Sequence, residues 1–202
     1  MGKLSVVTFV LALSASAGAN LLTADAAWNA RAFSGETRYT WQTDADGEYV
    51  CGEARGTASL RVRRVDVNLA QTPYLTWRWR VPATIADLPQ RTRAGDDFPA
   101  RVYVVSRAGM RVRTLAFVWA HAPAALPWPN PFDANTIVIP LRHGDAEGWQ
   151  TELVDVRGAL RDHFDIEDPA ELGIGFMTDG DNSGSVLSGC YRDFEFVAAP
   201  SP

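Results

Sequence analysis

YLTWRWRV, residues 74–81, is the stretch that decides the fold. In an extended chain successive side chains point to opposite faces, so Trp77, Trp79 and Val81 share one side while Arg78 and Arg80 share the other. The tryptophan row belongs in a core, which leaves two arginines side by side on an outer or concave face. Their simplest role there is cross-strand ion pairing. Pro73 opens the strand.

Short strands punctuated by turns continue in both directions. Residues 38–42 end at the Asp44-Ala-Asp-Gly47 turn, and strands over 48–54 and 58–67 follow, with Gly52 and Gly56 marking bends or bulges. Residues 100–106 and 112–120 pair across the turn at 107–110. A Pro-rich stretch at 123–132 is expected as a loop, in which Trp128 either plugs a core edge or stacks on a sugar ring. Strands at 136–142, 149–154, 172–178 and 186–197 complete the set. One helix is expected: Asp155 can cap it, Val156, Leu160 and Phe164 recur on one face, and Pro169 closes the region. No repeat or composition shift divides the chain. The expectation is an all-β fold, a β-sandwich of jelly-roll type with one short helix, as a single domain over residues 18–202.

Composition sets the outer limits. Of 202 residues 47% are hydrophobic and 21% charged, the make-up of a globular chain. The formal net charge of −5 argues against a sequence-independent grip on nucleic acid, which needs a basic surface. Lys3, the apolar run at 4–13 and the small residues at 14–19 read as a signal peptide over 1–17, with Ala15-Ser16-Ala17 at the cleavage point. Ten apolar residues fall short of the roughly twenty that span a bilayer, and no later stretch reaches that length, so no transmembrane segment is expected. The expected location is periplasmic or secreted. In such an oxidising space Cys51 and Cys190 can form a disulfide; two buried free thiols are the alternative.

An ordered set of motifs carries a family resemblance: TWRWRV at 76–81, GDDFPARVYVV at 95–105, FVWA at 117–120, GFMTDGDNSG at 175–184 and CYRDFEF at 190–196. Together they resemble the domain of unknown function 3047 family of exported bacterial proteins, over roughly residues 54–196. The resemblance implies a β-sandwich similar to galactose-binding and carbohydrate-binding modules, and it implies no particular activity.

Enzyme signatures are absent: there is no nucleophile elbow, zinc-protease helix, phosphate loop or dinucleotide fingerprint. His121, His143 and His163 are scattered, without metal-ligand spacing. The loop Asp179-Gly-Asp181-Asn-Ser-Gly184 offers Asp179 and Asp181 as calcium ligands, and the same composition suits a plain Asx-rich turn. Calcium is therefore the one cofactor the sequence raises.

Strand parity proposes a ligand face. With Ala100, Val102 and Val104 inward, Arg101 and Tyr103 point outward. With Val112, Thr114, Ala116 and Val118 inward, Phe117 and Trp119 would point outward as well. Arg78, Arg80, Arg101, Tyr103 and Trp119 would then share a face with Asp97 at its rim. Guanidinium forks suit carboxylates and aromatic faces suit sugar rings, so an acidic glycan is the expected ligand. A self-contained Arg–Asp network is the competing explanation. Three functions remain open: an exported binder of a glycan or other small polar, anionic ligand; an envelope polysaccharide hydrolase or lyase using an Arg/Asp/Tyr cluster; and a structural or protein-interaction module.

Overall fold

The alternation in residues 74–81 is realised as strand β5 (Tyr74–Val81): Leu75, Trp77, Trp79 and Val81 are fully buried, and the residues between them are half-exposed. The structure is a computed structural model that describes residues 19–200, so the expected signal peptide at 1–17 lies outside the described residues. β5 belongs to a five-stranded antiparallel sheet ordered β10 (Ala146–Asp155), β5, β12 (Val186–Val197), β3 (Gly47–Arg55), β2 (Arg38–Asp44). Facing it is a seven-stranded sheet ordered β1 (Asn29–Ser34), β4 (Ala58–Val65), β11 (Glu171–Asp179), β6 (Ala100–Ala108), β7 (Arg111–Ala120), β9 (Thr136–His143), β8 (Trp128–Pro129). Only the β7–β9 pairing is parallel among the described residues. The two sheets form a β-sandwich of jelly-roll type around one main core.

That core is aromatic. Trp77 lies 5.6 Å from Phe117 and Trp79 lies 5.4 Å from Trp119, ring centre to ring centre, so tryptophans of one sheet meet aromatics of the other. The expected phase of β7 is thereby reversed: Phe117 and Trp119 point inward, and Val118 points outward. Both rows of β7 are apolar enough to be buried, and both are. Val118 and Ala120 join Phe98, Val138 and Trp128 in a second, smaller core on the outside of the seven-stranded sheet. Trp128 thus plugs a core edge, as one of its two expected roles had it.

Each strand expected from the sequence forms, though β4 stops at Val65, short of Val67. Two further strands appear. Every residue of β1 is exposed, so this edge strand carries no burial pattern to read. β8 is a two-residue bridge inside the Pro-rich stretch that was expected to be loop. The helix α1 (Val156–Phe164) begins where Asp155 caps it, accepting a 2.8 Å hydrogen bond from the Gly158 amide. It ends at Asp165, in the left-handed conformation at φ 56°. Val156 and Leu160 enter the main core, closing one end of the sandwich.

Gly52 and Gly189 sit directly opposite each other where the sheets come close. A Cβ on Gly189 would stand 2.3 Å from the Pro99 carbonyl oxygen, and one on Gly52 would stand 2.7 Å from Thr178 Oγ1. Gly52 therefore marks a close approach of the two sheets inside a regular strand. Cys51 and Cys190 also face each other across β3 and β12 and are joined as a disulfide. Among the described residues no helix is long and apolar enough to cross a membrane.

Candidate functional site

The outer face of the five-stranded sheet is built by the same parity that buries the tryptophans. Cys190 pairs with Cys51 on one side and Arg80 on the other, and Arg192 pairs with Arg78, so all five side chains point away from the core. Tyr49 precedes Cys51 by two positions and shares that face, as does Trp149 on β10, two positions before Thr151, the partner of Arg78. Here Arg80 and Arg192 share one pair of aromatic rings. Their guanidinium carbons lie 4.7 and 5.0 Å from the Trp149 ring centre, and 5.4 and 5.8 Å from that of Tyr49. The rings themselves meet edge to face at 5.5 Å, and the Tyr49 hydroxyl donates to Gln42 Oε1 at 2.8 Å.

Local backbone features set the charges. The Asp44–Gly47 turn, with Gly47 at φ 110°, brings Asp44 against Arg192 Nη1 at 2.8 and 3.1 Å. A bulge in β12 places Asp193 at φ 57°, where its carboxylate holds Arg78 Nε at 2.6 Å. Arg192 is fully buried. Burial alone would lower its guanidinium, but the Asp44 hydrogen bonds and the Asp193 charge outweigh burial and hold it above its ordinary value. In return the Arg192 hydrogen bond lowers the Asp44 carboxyl. Arg80 makes no hydrogen bond or ion pair among the described residues. Its charge is open to a ligand.

The single ligand face expected from the sequence is not formed, because Arg78 and Arg80 lie on one sheet and Arg101 and Tyr103 on the other. With the core between the sheets, equal parity on both sends side chains to opposite sides of the sandwich. Trp119 points into the core, and its Nε1 donates to the Gly144 carbonyl oxygen at 2.6 Å. Asp97 and Arg101 are buried beneath loops on the seven-stranded side. Tyr103 is half-buried there, and burial raises its hydroxyl well above the usual phenol range. Of the expected ligand residues only Arg78 and Arg80 come together on an open face.

Arg101 instead anchors a buried network. It donates from Nε to Asp179 Oδ1 at 2.7 Å and from Nη2 to Asp179 Oδ2 and the Asp96 carbonyl oxygen, and it stacks 4.4 Å from the Phe98 ring centre. Asp97 accepts from the Asn182 and Ser183 amides at 3.1 and 2.6 Å. Burial pushes the Asp179 carboxyl up to about 7 despite Arg101, with Asp96 and Asp97 adding to the rise. Burial would likewise lower Arg101, but Asp179 and Asp96 hold it well above its ordinary value. His121 closes the network from above, with Nδ1 accepting from the Ile85 amide at 2.9 Å and Nε2 placed 2.8 Å from the Asp97 carbonyl oxygen. Burial lowers its pKa, which keeps the ring neutral and able to accept.

Asp97, Asp179 and Asp181 bring carboxylate oxygens within 4.8 Å of one another, so the two expected calcium ligands gain a third. Oxygen ligands on a tight loop suit that ion. However, Arg101 already engages both oxygens of Asp179, and loop amides engage Asp97. A guanidinium thus stands where a cation would compensate charge. Calcium at about 1 mM, the range of extracellular calcium modules, is expected to leave the melting temperature unchanged. A rise that Asp181→Asn removes would show a metal site instead.

A cavity of about 200 Å³ opens on the seven-stranded sheet between Val62, Val105, Gly173, Arg64 and Arg107. It presents no aromatic ring, and both arginines lean on Glu171 at 3.3 and 3.7 Å. It offers a ligand less than the Trp149 face does.

Trp149, Tyr49 and Arg192 were not singled out from the sequence. The cysteine pair carried the missing signal: placed opposite each other, Cys51 and Cys190 fix the register that puts Tyr49 and Arg192 beside Arg78 and Arg80.

A family model described as "Protein of unknown function (DUF3047)" matches residues 26–195. No curated protein matches the chain. Among solved structures, the family 11 carbohydrate-binding module of the cellulosomal cellulase Lic26A-Cel5E of Clostridium thermocellum is 9% identical, with 94% of this chain and 99% of that one covered, at a TM-score of 0.52. The family 30 carbohydrate-binding module of the cellulosomal cellulase Cel9D-Cel44B of the same organism is 8% identical, with 85% and 92% covered, at 0.49. A family 11 module from Clostridium thermocellum in complex with a β-1,3-1,4-mixed-linked tetrasaccharide is 7% identical, with 87% and 91% covered, at 0.47.

Proposed function

The chain belongs to the DUF3047 family, and from that premise and the geometry above we propose that it is an exported protein that binds a glycan, or another small polar, anionic ligand, on the open face of its five-stranded sheet. The observation that carries this reading is Arg80. Its guanidinium stacks on Trp149 beside Tyr49, has no acidic partner among the described residues, and is half-exposed. An aromatic face next to a free guanidinium offers stacking to a sugar ring and a fork to a hydroxyl pair or carboxylate. The sandwich shared with a family 11 carbohydrate-binding module supports the reading at the level of fold. Export is supported by the Cys51–Cys190 disulfide, a bond that persists in oxidising compartments.

The hydrolase or lyase reading placed its chemistry on an Arg/Asp/Tyr cluster. Arg101, Asp96, Asp97 and Asp179 are all buried, so a polysaccharide would not reach them. Glycan-array binding without release of reducing ends or unsaturated uronates is the expected result. Trp149→Ala should weaken the best array ligand by about tenfold or more while the fold is kept, since stacking and apolar contact are both lost. Product formation from the bound glycan would return the protein to the enzymes. Unchanged affinity in Trp149→Ala would remove this face from the account.

A further inference from the structure

Arg192 has one guanidinium edge used and one edge empty. Nη1 is held by both oxygens of Asp44, at 3.1 and 2.8 Å. Nε and Nη2 are buried and have no hydrogen-bond partner; Asp193 Oδ2, 3.3 Å from Nε, makes an ion-pair contact only and is already held by Arg78. Nε and Nη2 are not two scattered donors. They form the side edge of the guanidinium, whose two parallel N–H bonds match the two oxygens of a carboxylate. Buried donors on a charged group are costly to leave unmet, so this edge calls for an acceptor.

The surroundings leave room for one. Trp149, which covers Arg192, sits on the edge strand β10 where the register with β5 is interrupted between Ala146 and Gln150. Trp149 lies in that break, so no ladder pair fixes its backbone. Gly148 beside it has open space around a would-be Cβ, with only Gln150 Nε2 at 4.0 Å. The turn glycine Gly47 lies near the same edge, where a Cβ would stand in ordinary contact with Arg192 Nη2 at 3.9 Å. Arg80 waits on the other flank of the same two rings.

We propose that the ligand is an acidic sugar chain whose carboxylate docks on the Nε–Nη2 edge of Arg192 beside the Trp149 ring and is neutralised by Arg80. This rests on the glycan reading above and names the group that the site selects. Uronate units carry such a carboxylate on a ring that Trp149 and Tyr49 can flank.

The test is calorimetric titration with tetrasaccharides of galacturonate, glucuronate and mannuronate and with their carboxyl-reduced, neutral counterparts. At least one acid should bind about tenfold or more tightly than its reduced form, and its Arg192 Nε–H signal should shift on titration in nitrogen-proton spectra. Arg80→Gln, which breaks no hydrogen bond or ion pair among the described residues and removes only the cation stacked on Trp149 and Tyr49, should erase the preference and leave the fold intact. Equal affinity for acid and neutral chains would overturn the carboxylate clamp, leave water as the partner of Arg192, and leave the glycan reading standing. Binding of neither, with a blank glycan array, would overturn both.

Discussion

Arg101→Met is expected to lower the unfolding free energy by about 3–5 kcal/mol near pH 8, the cost of leaving buried charge without its partner. Arg101 is the guanidinium that faces the buried carboxylates of Asp96 and Asp179, with Asp97 next to them. The loss should shrink on acidification. Asp179 is raised to about 7 from an ordinary 3.8, so the folded protein holds a proton there that the unfolded chain releases. A raised carboxyl contributes stability that is full below the unfolded value and lost as pH climbs through the folded one. Arg101 lowers the Asp179 carboxyl, so its removal raises that carboxyl further. At about pH 5 Asp179 is protonated with or without Arg101, whereas near pH 8 the variant must hold on folding a proton that the unfolded chain releases, and the cost grows. Adding Asp179→Asn to Arg101→Met should recover part of the loss at the higher pH. Urea unfolding at both pH values reads all of this, and a loss that is small or the same at both would contradict the buried network.

The paired replacement Cys51→Ala/Cys190→Ala should cost up to about 5 kcal/mol in the chain-entropy account, less any strain the bridge carries. The bond spans a sequence separation of 139, so it removes a long loop's freedom from the unfolded chain. It ties β3 to β12, the two strands that carry Tyr49 and Arg192. Its removal should therefore also weaken ligand binding as those strands loosen. Reduction of the wild type should reproduce the shift in unfolding midpoint. A midpoint insensitive to reductant would contradict a structural role for the bridge.

Much of the fold was legible because β5 buries alternate residues throughout and β6 and β12 do so over most of their length, the one pattern a sequence displays openly. β7 was not, since Val118 and Trp119 are both buried, one in each core, and its phase depends on which side carries the larger aromatics. β1 was not, because an exposed edge strand held by backbone pairing alone leaves no side-chain trace. The site was half legible. Parity placed Arg78, Arg80, Arg101 and Tyr103 on outer faces, but parity says nothing about which of two sheets a strand joins, and that choice separates the first pair from the second by the thickness of the core. Trp149 is brought over Arg192 by a register break that only the tertiary pairing shows.

The most direct test of the account is a map of where the ligand lands. With the best array ligand added in steps, indole and guanidinium N–H spectra should show shifts at Trp149, Arg80 and Arg192, with Arg64 and Arg107 on the opposite sheet unmoved. Shifts confined to Arg64, Arg107 and the residues around the Gly173 cavity would place the site on the seven-stranded sheet and contradict it.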